Sequence, residues 1–146
     1  MDTEIKILLG QKHINRYPTV LVKVNDQEKD LTISNDTWVC FNLNFSKDEK
    51  IILTIEHYGK TKLDCSQIEG QDTAVIIKDI CLNGISDQKF IWQSTFYPNY
   101  PDDYEPKIFE LKGSTYLGFN GVWKLEMTAP IFTWIHKTLD LGWIYD

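Results

Sequence analysis

The chain has 146 residues, a length that fits one domain, and 42% of them are hydrophobic, enough for a core and too many for a disordered chain. The formal net charge is −6, and Arg16 is the sole arginine among 15 basic residues, which argues against a general nucleic-acid binder. No apolar run approaches the roughly 18–20 residues that would cross a bilayer, and no membrane partner is expected.

The start, Met1-Asp2-Thr3-Glu4, lacks the basic and apolar regions of a secretory signal. Cys40, Cys65 and Cys81 are odd in number and widely spaced, which implies free, mostly buried thiols in a reducing compartment. The sequons Asn35-Asp36-Thr37 and Asn44-Phe45-Ser46 carry no expectation without a signal.

The dominant period is two. Ile5 to Leu9 is a short apolar run, and Thr19 to Val24 is β-branched and ends at the turn pair Asn25-Asp26. In Thr37 to Phe45, Val39, Phe41, Leu43 and Phe45 share one face. Ile51 to Tyr58 repeats the pattern with Ile51, Leu53 and Ile55. Ala74 to Leu82 is the longest apolar stretch and ends at Asn83-Gly84, a strong hairpin signal. Phe90 to Phe96, Thr115 to Phe119, Val122 to Met127 and Ile131 to His136 complete the expected strands, with a second turn at Asn120-Gly121. Trp123, Trp134 and Trp143 read as core residues in strands. No segment forms a clear amphipathic helix of ten or more residues. The fold class is therefore all-β: an antiparallel, jelly-roll-like sandwich with a single domain over residues 1–146. Tyr97 to Lys112 breaks the pattern, because its prolines bar a central strand; it is a long loop of the kind that carries function.

Several groups could carry chemistry. Gly59-Lys60-Thr61 resembles the end of a phosphate loop, but Thr54 stands where that motif needs glycine, so a hairpin turn is the expectation. His13, His57 and His136 are scattered and read as surface or rim residues. Asp64, Glu69 and Asp72, with Asp79 further on, form an acidic stretch; the first three are candidate oxygen ligands for Ca²⁺, against the plainer reading of a solvated loop. Trp92, Tyr97, Tyr100 and Tyr104 gather around the Pro-rich loop and are candidate contacts for a partner or a sugar. No catalytic residue and no activated nucleophile is visible.

Two segments carry resemblances. Asp72 to Gly84, an acidic start leading through Asp79 into a strand that closes on Asn83-Gly84, resembles a strand of calcium-dependent xylan-binding modules. The resemblance implies a jelly-roll and a carbohydrate-binding module, with Ca²⁺ held by some of Asp64, Glu69 and Asp72. Tyr116 to Trp134, through Asn120-Gly121, Trp123 and Pro130, is similar to small proteins of tailed bacteriophages. That similarity implies a non-catalytic virion component, in the capsid surface or tail, assembled in the host cytoplasm. Its partners would be other virion proteins or copies of itself, met through Tyr97 to Glu105. The virion role is the leading expectation, the carbohydrate-binding module the alternative, and an enzyme of unknown class on a β-sandwich the third.

Overall fold

The structure is a computed structural model, and it describes residues 2–66, 68 and 70–139. Its elements are β1 (Asp2–Lys12), β2 (Thr19–Val24), β3 (Gln27–Thr32), β4 (Thr37–Asn44), β5 (Lys50–Tyr58), β6 (Ala74–Leu82), β7 (Ile85–Ser86), α1 (Gln88–Trp92), β8 (Thr95–Pro98), β9 (Leu111–Lys112), β10 (Tyr116–Leu117), β11 (Gly121–Thr128) and α2 (Ile131–Thr138). A 3-10 turn at Lys62–Asp64 lies between β5 and β6. All strand pairs are antiparallel. One sheet runs β10-β6-β1-β4, with β7 paired to β6; the other runs β3-β2-β5-β11-β8-β9. The chain passes repeatedly between the sheets, so the fold is the antiparallel sandwich expected from the two-residue period.

Alternation puts the core where it is. Ile5, Ile7 and Leu9 of β1, Val20, Val22 and Val24 of β2, and Ile51, Leu53 and Ile55 of β5 are all fully buried. They meet Trp123, Leu125 and Met127 of β11 in one contiguous core. Along β6 the parity changes. Leu8 pairs with Asp79 and Leu9 with Ile77, so Lys78 is left without a partner and forms a bulge. Before it Ile77 points inward, and after it Ile80 and Leu82 do. Asn83 (φ 46°) and Gly84 (φ 83°) then form the expected hairpin to β7.

The second Asn-Gly is different. Gly121 does not join two strands of one sheet, because β10 and β11 lie in opposite sheets. A Cβ on Gly121 would lie 2.4 Å from the Tyr97 carbonyl oxygen, so close approach and a φ of 152° demand glycine here.

Other expectations are corrected. Phe90 to Phe96 is no single strand: Gln88–Trp92 is a short helix capped by Asp87, whose side chain accepts from the Lys89 N–H. Ile131 to His136 is helical. Ile131 and Ile135, four apart, are buried, and Trp134 packs beside Phe90 at 5.7 Å between ring centroids. A short apolar run does not declare its period, and the 131/135 spacing is what separates helix from strand. The expected loop is shorter than Tyr97 to Lys112, since β8 and β9 pair Thr95 with Lys112 and Phe96 with Leu111. Trp143 lies outside the described residues.

The strand edges are guarded. β3 carries Glu28, Lys29 and Asp30, and β9 and β10 are two residues each. On the long edge strand β4, the Lys29 ammonium donates to the Cys40 carbonyl at 2.5 Å and lies 5.0 Å from the Phe41 ring centre.

Trp123 is fully buried at the centre of β11. Trp123→Ala is expected to cost about 3–5 kcal/mol, because the surrounding sheets cannot close on a cavity that large. Urea denaturation of the variant beside the wild type checks this; a loss below about 1 kcal/mol would contradict the placement of this ring at the core.

Candidate functional site

At one end of the sandwich three connections converge: the loop from β5 to β6, the loop from β8 to β9, and the crossing from β10 to β11. They enclose an open cleft of about 940 Å³. Its lining includes Lys12, Lys60, Lys62, Cys65, Asp72, Asp103, Tyr104, Tyr116 and Phe119, with the buried Phe96 and the half-buried Leu111 beside them. A side pocket of about 320 Å³ shares Lys60 and Phe119 and adds Tyr100 and Asn120.

The polar centre is Lys60. Its ammonium donates to Asp72 Oδ1 at 2.6 Å and to the Gly118 carbonyl at 2.5 Å. Asp72 Oδ1 also accepts from the Thr73 N–H at 2.8 Å, and its Oδ2 accepts from the Tyr116 hydroxyl at 2.6 Å. Asn120 fixes the backbone beneath: its Oδ1 accepts from the Lys60 N–H and its Nδ2 donates to the Lys60 carbonyl, both at 2.9 Å. Partial desolvation of the 39% exposed Tyr116 and the Asp72 carboxylate together push its phenol well above its usual value.

The apolar wall is aromatic. Tyr100 and Tyr104 stack with centroids 5.0 Å apart and planes 5° from parallel. Phe119 meets both edge-on, at 4.7 Å from Tyr100 and 4.8 Å from Tyr104. Offset and edge-on arrangements of this kind satisfy the ring quadrupoles. The Tyr100 hydroxyl donates to the Ile108 carbonyl at 2.6 Å, which ties the ring to its own loop.

Of the four rings singled out in the sequence, the structure brings Tyr100 and Tyr104 together here. Tyr97 follows the inward Phe96 on β8 and therefore faces outward, 41% exposed. Trp92 is 59% exposed at the end of α1, next to Gly113. Neither Tyr97 nor Trp92 lines the cleft.

The three acidic candidates also separate. Asp72 is in the cleft. Asp64 is buried, and its Oδ2 accepts from Arg16 Nε and Nη2 at 3.2 and 3.1 Å and from the Thr61 N–H at 2.8 Å. Burial alone would raise the Asp64 pKa, but Thr61 and Arg16 outweigh it and hold the carboxyl below its ordinary value. Glu69 lies outside the described residues. Asp79 is on β6 opposite Leu8, away from the other two. Among the described residues no group of three His, Cys, Asp or Glu side chains is gathered as a metal would require. Both oxygens of Asp72 and one of Asp64 are already engaged by hydrogen-bond donors. Among the described residues, the donor set does not fit a calcium ion as it stands.

Further expectations change. Gly59-Lys60-Thr61 is a crossing between sheets and not a hairpin, since β5 and β6 lie in different sheets. Cys65 is an exposed thiol in the cleft lining, whereas Cys40 and Cys81 are half-buried. His57 is no surface residue. It continues the inward positions 51, 53 and 55 of β5 and is 1% exposed, with Nδ1 2.9 Å from the Leu117 carbonyl. Burial holds His57 below its ordinary 6.5; the Leu117 carbonyl opposes this, the Lys60 charge adds to it, and the Phe119 backbone and Asp72 oppose it.

No protein-family model matches the chain, and no curated protein matches it. Among solved structures it is similar to vCBM60 in complex with galactobiose, with 16% identity over 84% of this chain and 96% of that one, at a TM-score of 0.47. It is also similar to the selenomethionine form of vCBM60, from work on circular permutation between two families of calcium-dependent carbohydrate binding modules. That match has 14% identity over 84% of this chain and 89% of the other, again at a TM-score of 0.47. At that level of likeness the reading of the cleft rests on its own residues.

His57 generates a pH dependence. A depressed pKa in the folded state means that the unfolded chain binds the proton more readily. Stability is therefore full above the unfolded value of 6.5 and falls as pH drops from there toward the folded value. Urea denaturation between pH 8 and 5 is expected to show this decline, approaching about 1.4 kcal/mol per pH unit, and His57→Asn is expected to flatten it. An equal slope in the variant would assign the decline to other groups.

Proposed function

We propose that the chain is a non-catalytic carbohydrate-binding domain whose ligand lies in the cleft between Lys60 and Tyr104. The observation that carries this reading is the pairing of an aromatic wall with a fixed hydrogen-bonding centre. Saccharides present alternating apolar C–H faces and hydroxyl edges. The Tyr104 and Phe119 rings suit the faces, and the Lys60–Asp72–Tyr116 network suits the hydroxyls. The volume falls within the usual range of ligand pockets, roughly 300–1,000 Å³. The rings and the network are held by packing and backbone hydrogen bonds before any ligand arrives, which lowers the ordering cost of binding.

The virion role expected from Tyr116 to Trp134 gains no support: no family model or curated protein matches the chain, and the geometry of the cleft adds nothing to it. The two readings are compatible, because a carbohydrate-binding domain on a virion would serve attachment.

Screening on a panel of neutral and acidic oligosaccharides, followed by calorimetry on the best binder, tests the proposal. Tyr104→Ala is expected to weaken that binder about tenfold, the effect of losing a stacked ring worth about 1.5 kcal/mol. Trp92→Ala is expected to leave affinity unchanged. A panel without binders, or equal loss in both variants, would overturn the assignment of the cleft.

A further inference from the structure

The Lys60 side chain is 8% exposed. A buried ammonium survives only when it is paired and hydrogen-bonded. Here its partners are one carboxylate oxygen and one backbone carbonyl, Asp72 Oδ1 and Gly118 O, the oxygen types that a hard metal cation would take. The distances of 2.6 and 2.5 Å leave no space for another cation between them. Both Asp72 oxygens are further engaged, Oδ1 by the Thr73 N–H and Oδ2 by the Tyr116 hydroxyl. Calcium needs six to eight oxygens, so at this place it would have to expel a positive charge that is already neutralised.

We propose that the Lys60 ammonium is the built-in cation of the cleft, standing where a divalent metal would otherwise organise the site, and that its third N–H donates to a saccharide hydroxyl. The second half rests on the carbohydrate-binding reading. A protonated lysine carries three donors, and Asp72 and Gly118 use two. The Phe119 ring centre lies 5.7 Å from Nζ, which adds a cation–π contact beside the ligand space. Asn120 clamps the Lys60 backbone on both its N–H and its carbonyl, so the ammonium is aimed in advance. Arg16 plays a parallel structural part at Asp64. Two of the three acidic residues that read as calcium ligands are thus served by cations of the chain itself.

The test has two arms. In the first, the thermal midpoint of the wild-type chain is measured in EGTA and in about 10 mM CaCl₂, roughly tenfold above the Kd of the weakest extracellular calcium modules. Equal midpoints are expected. A rise of about 2 °C or more in calcium would overturn the proposal, because a ligand of the folded state must stabilise it. In the second, Lys60→Met, which keeps the length of the stem and removes the charge, is titrated with the best saccharide. A loss of about tenfold or more is expected, and wild-type affinity is expected to be the same in EGTA and calcium. An unchanged affinity in Lys60→Met, or wild-type binding abolished by EGTA, would overturn it. If Lys60→Met does not fold, the wild-type EGTA comparison still decides. The melts contain no sugar, so a panel without binders would sink the carbohydrate-binding reading while the cation assignment is judged by the first arm.

Discussion

A buried positive charge must be neutralised where it sits, and in this chain that requirement draws the open end of the sandwich together. Lys60 follows β5 in one sheet. Asp72 precedes β6 in the other, and Gly118 lies on the crossing from β10 back to β11. One ammonium therefore bonds to two segments that are distant in sequence and belong to the boundary between the sheets. The hydrophobic core holds the sheets face to face without direction. The Lys60 contacts add direction, and they do so where the core ends and water begins. The clamp joins two of the segments that line the cleft.

The neighbours of the clamp depend on the same geometry. His57 is carried inward by the parity of β5 and lies against the β10 carbonyl, two positions before the glycine that begins the turn toward Lys60. Gly121 permits β8 and β11 to close against each other, and that contact holds the start of the loop bearing Tyr100 and Tyr104. Asn99 donates from its backbone to the Asn120 carbonyl, linking the aromatic loop to the residue that clamps Lys60. Asn120 thus ties the aromatic loop to the polar centre, beside the contact of the Lys60 ammonium with the Phe119 ring.

Much of the fold was legible in the sequence, because half-buried strands announce themselves by alternation and the β6–β7 hairpin by Asn83-Gly84. What alternation could not give was the partner of each strand. Gly59-Lys60-Thr61 looks like a local turn until it is known that β6 belongs to the other sheet. Its lysine then becomes the centre of the site. In the sequence Asp64 and Asp72 look like calcium ligands or solvated acids, because it does not show that Arg16 and Lys60, 48 and 12 positions away, reach them. Tyr100 and Tyr104 were legible through spacing within one proline-rich loop. Tyr116 and Phe119, which come from a different connection, were not marked as site residues. The Ile131 to His136 segment was misread because β-branched and aromatic residues favour strands, and tertiary packing of Ile131 and Ile135 overrode that preference.

The Lys29 contact with the Cys40 carbonyl bears on how many copies of this chain can gather. β4 is the longest strand at a sheet edge, and its side chains, Trp38, Cys40 and Asn42 among them, include no charge. Left bare, it would be a template for another strand. Lys29 crosses from the opposite sheet, uses one of its carbonyls and covers the face of Phe41 with an ammonium. A second copy adding its own strand there would have to bury that charge. Growth by strand addition, the open-ended route to fibres, is disfavoured at this edge.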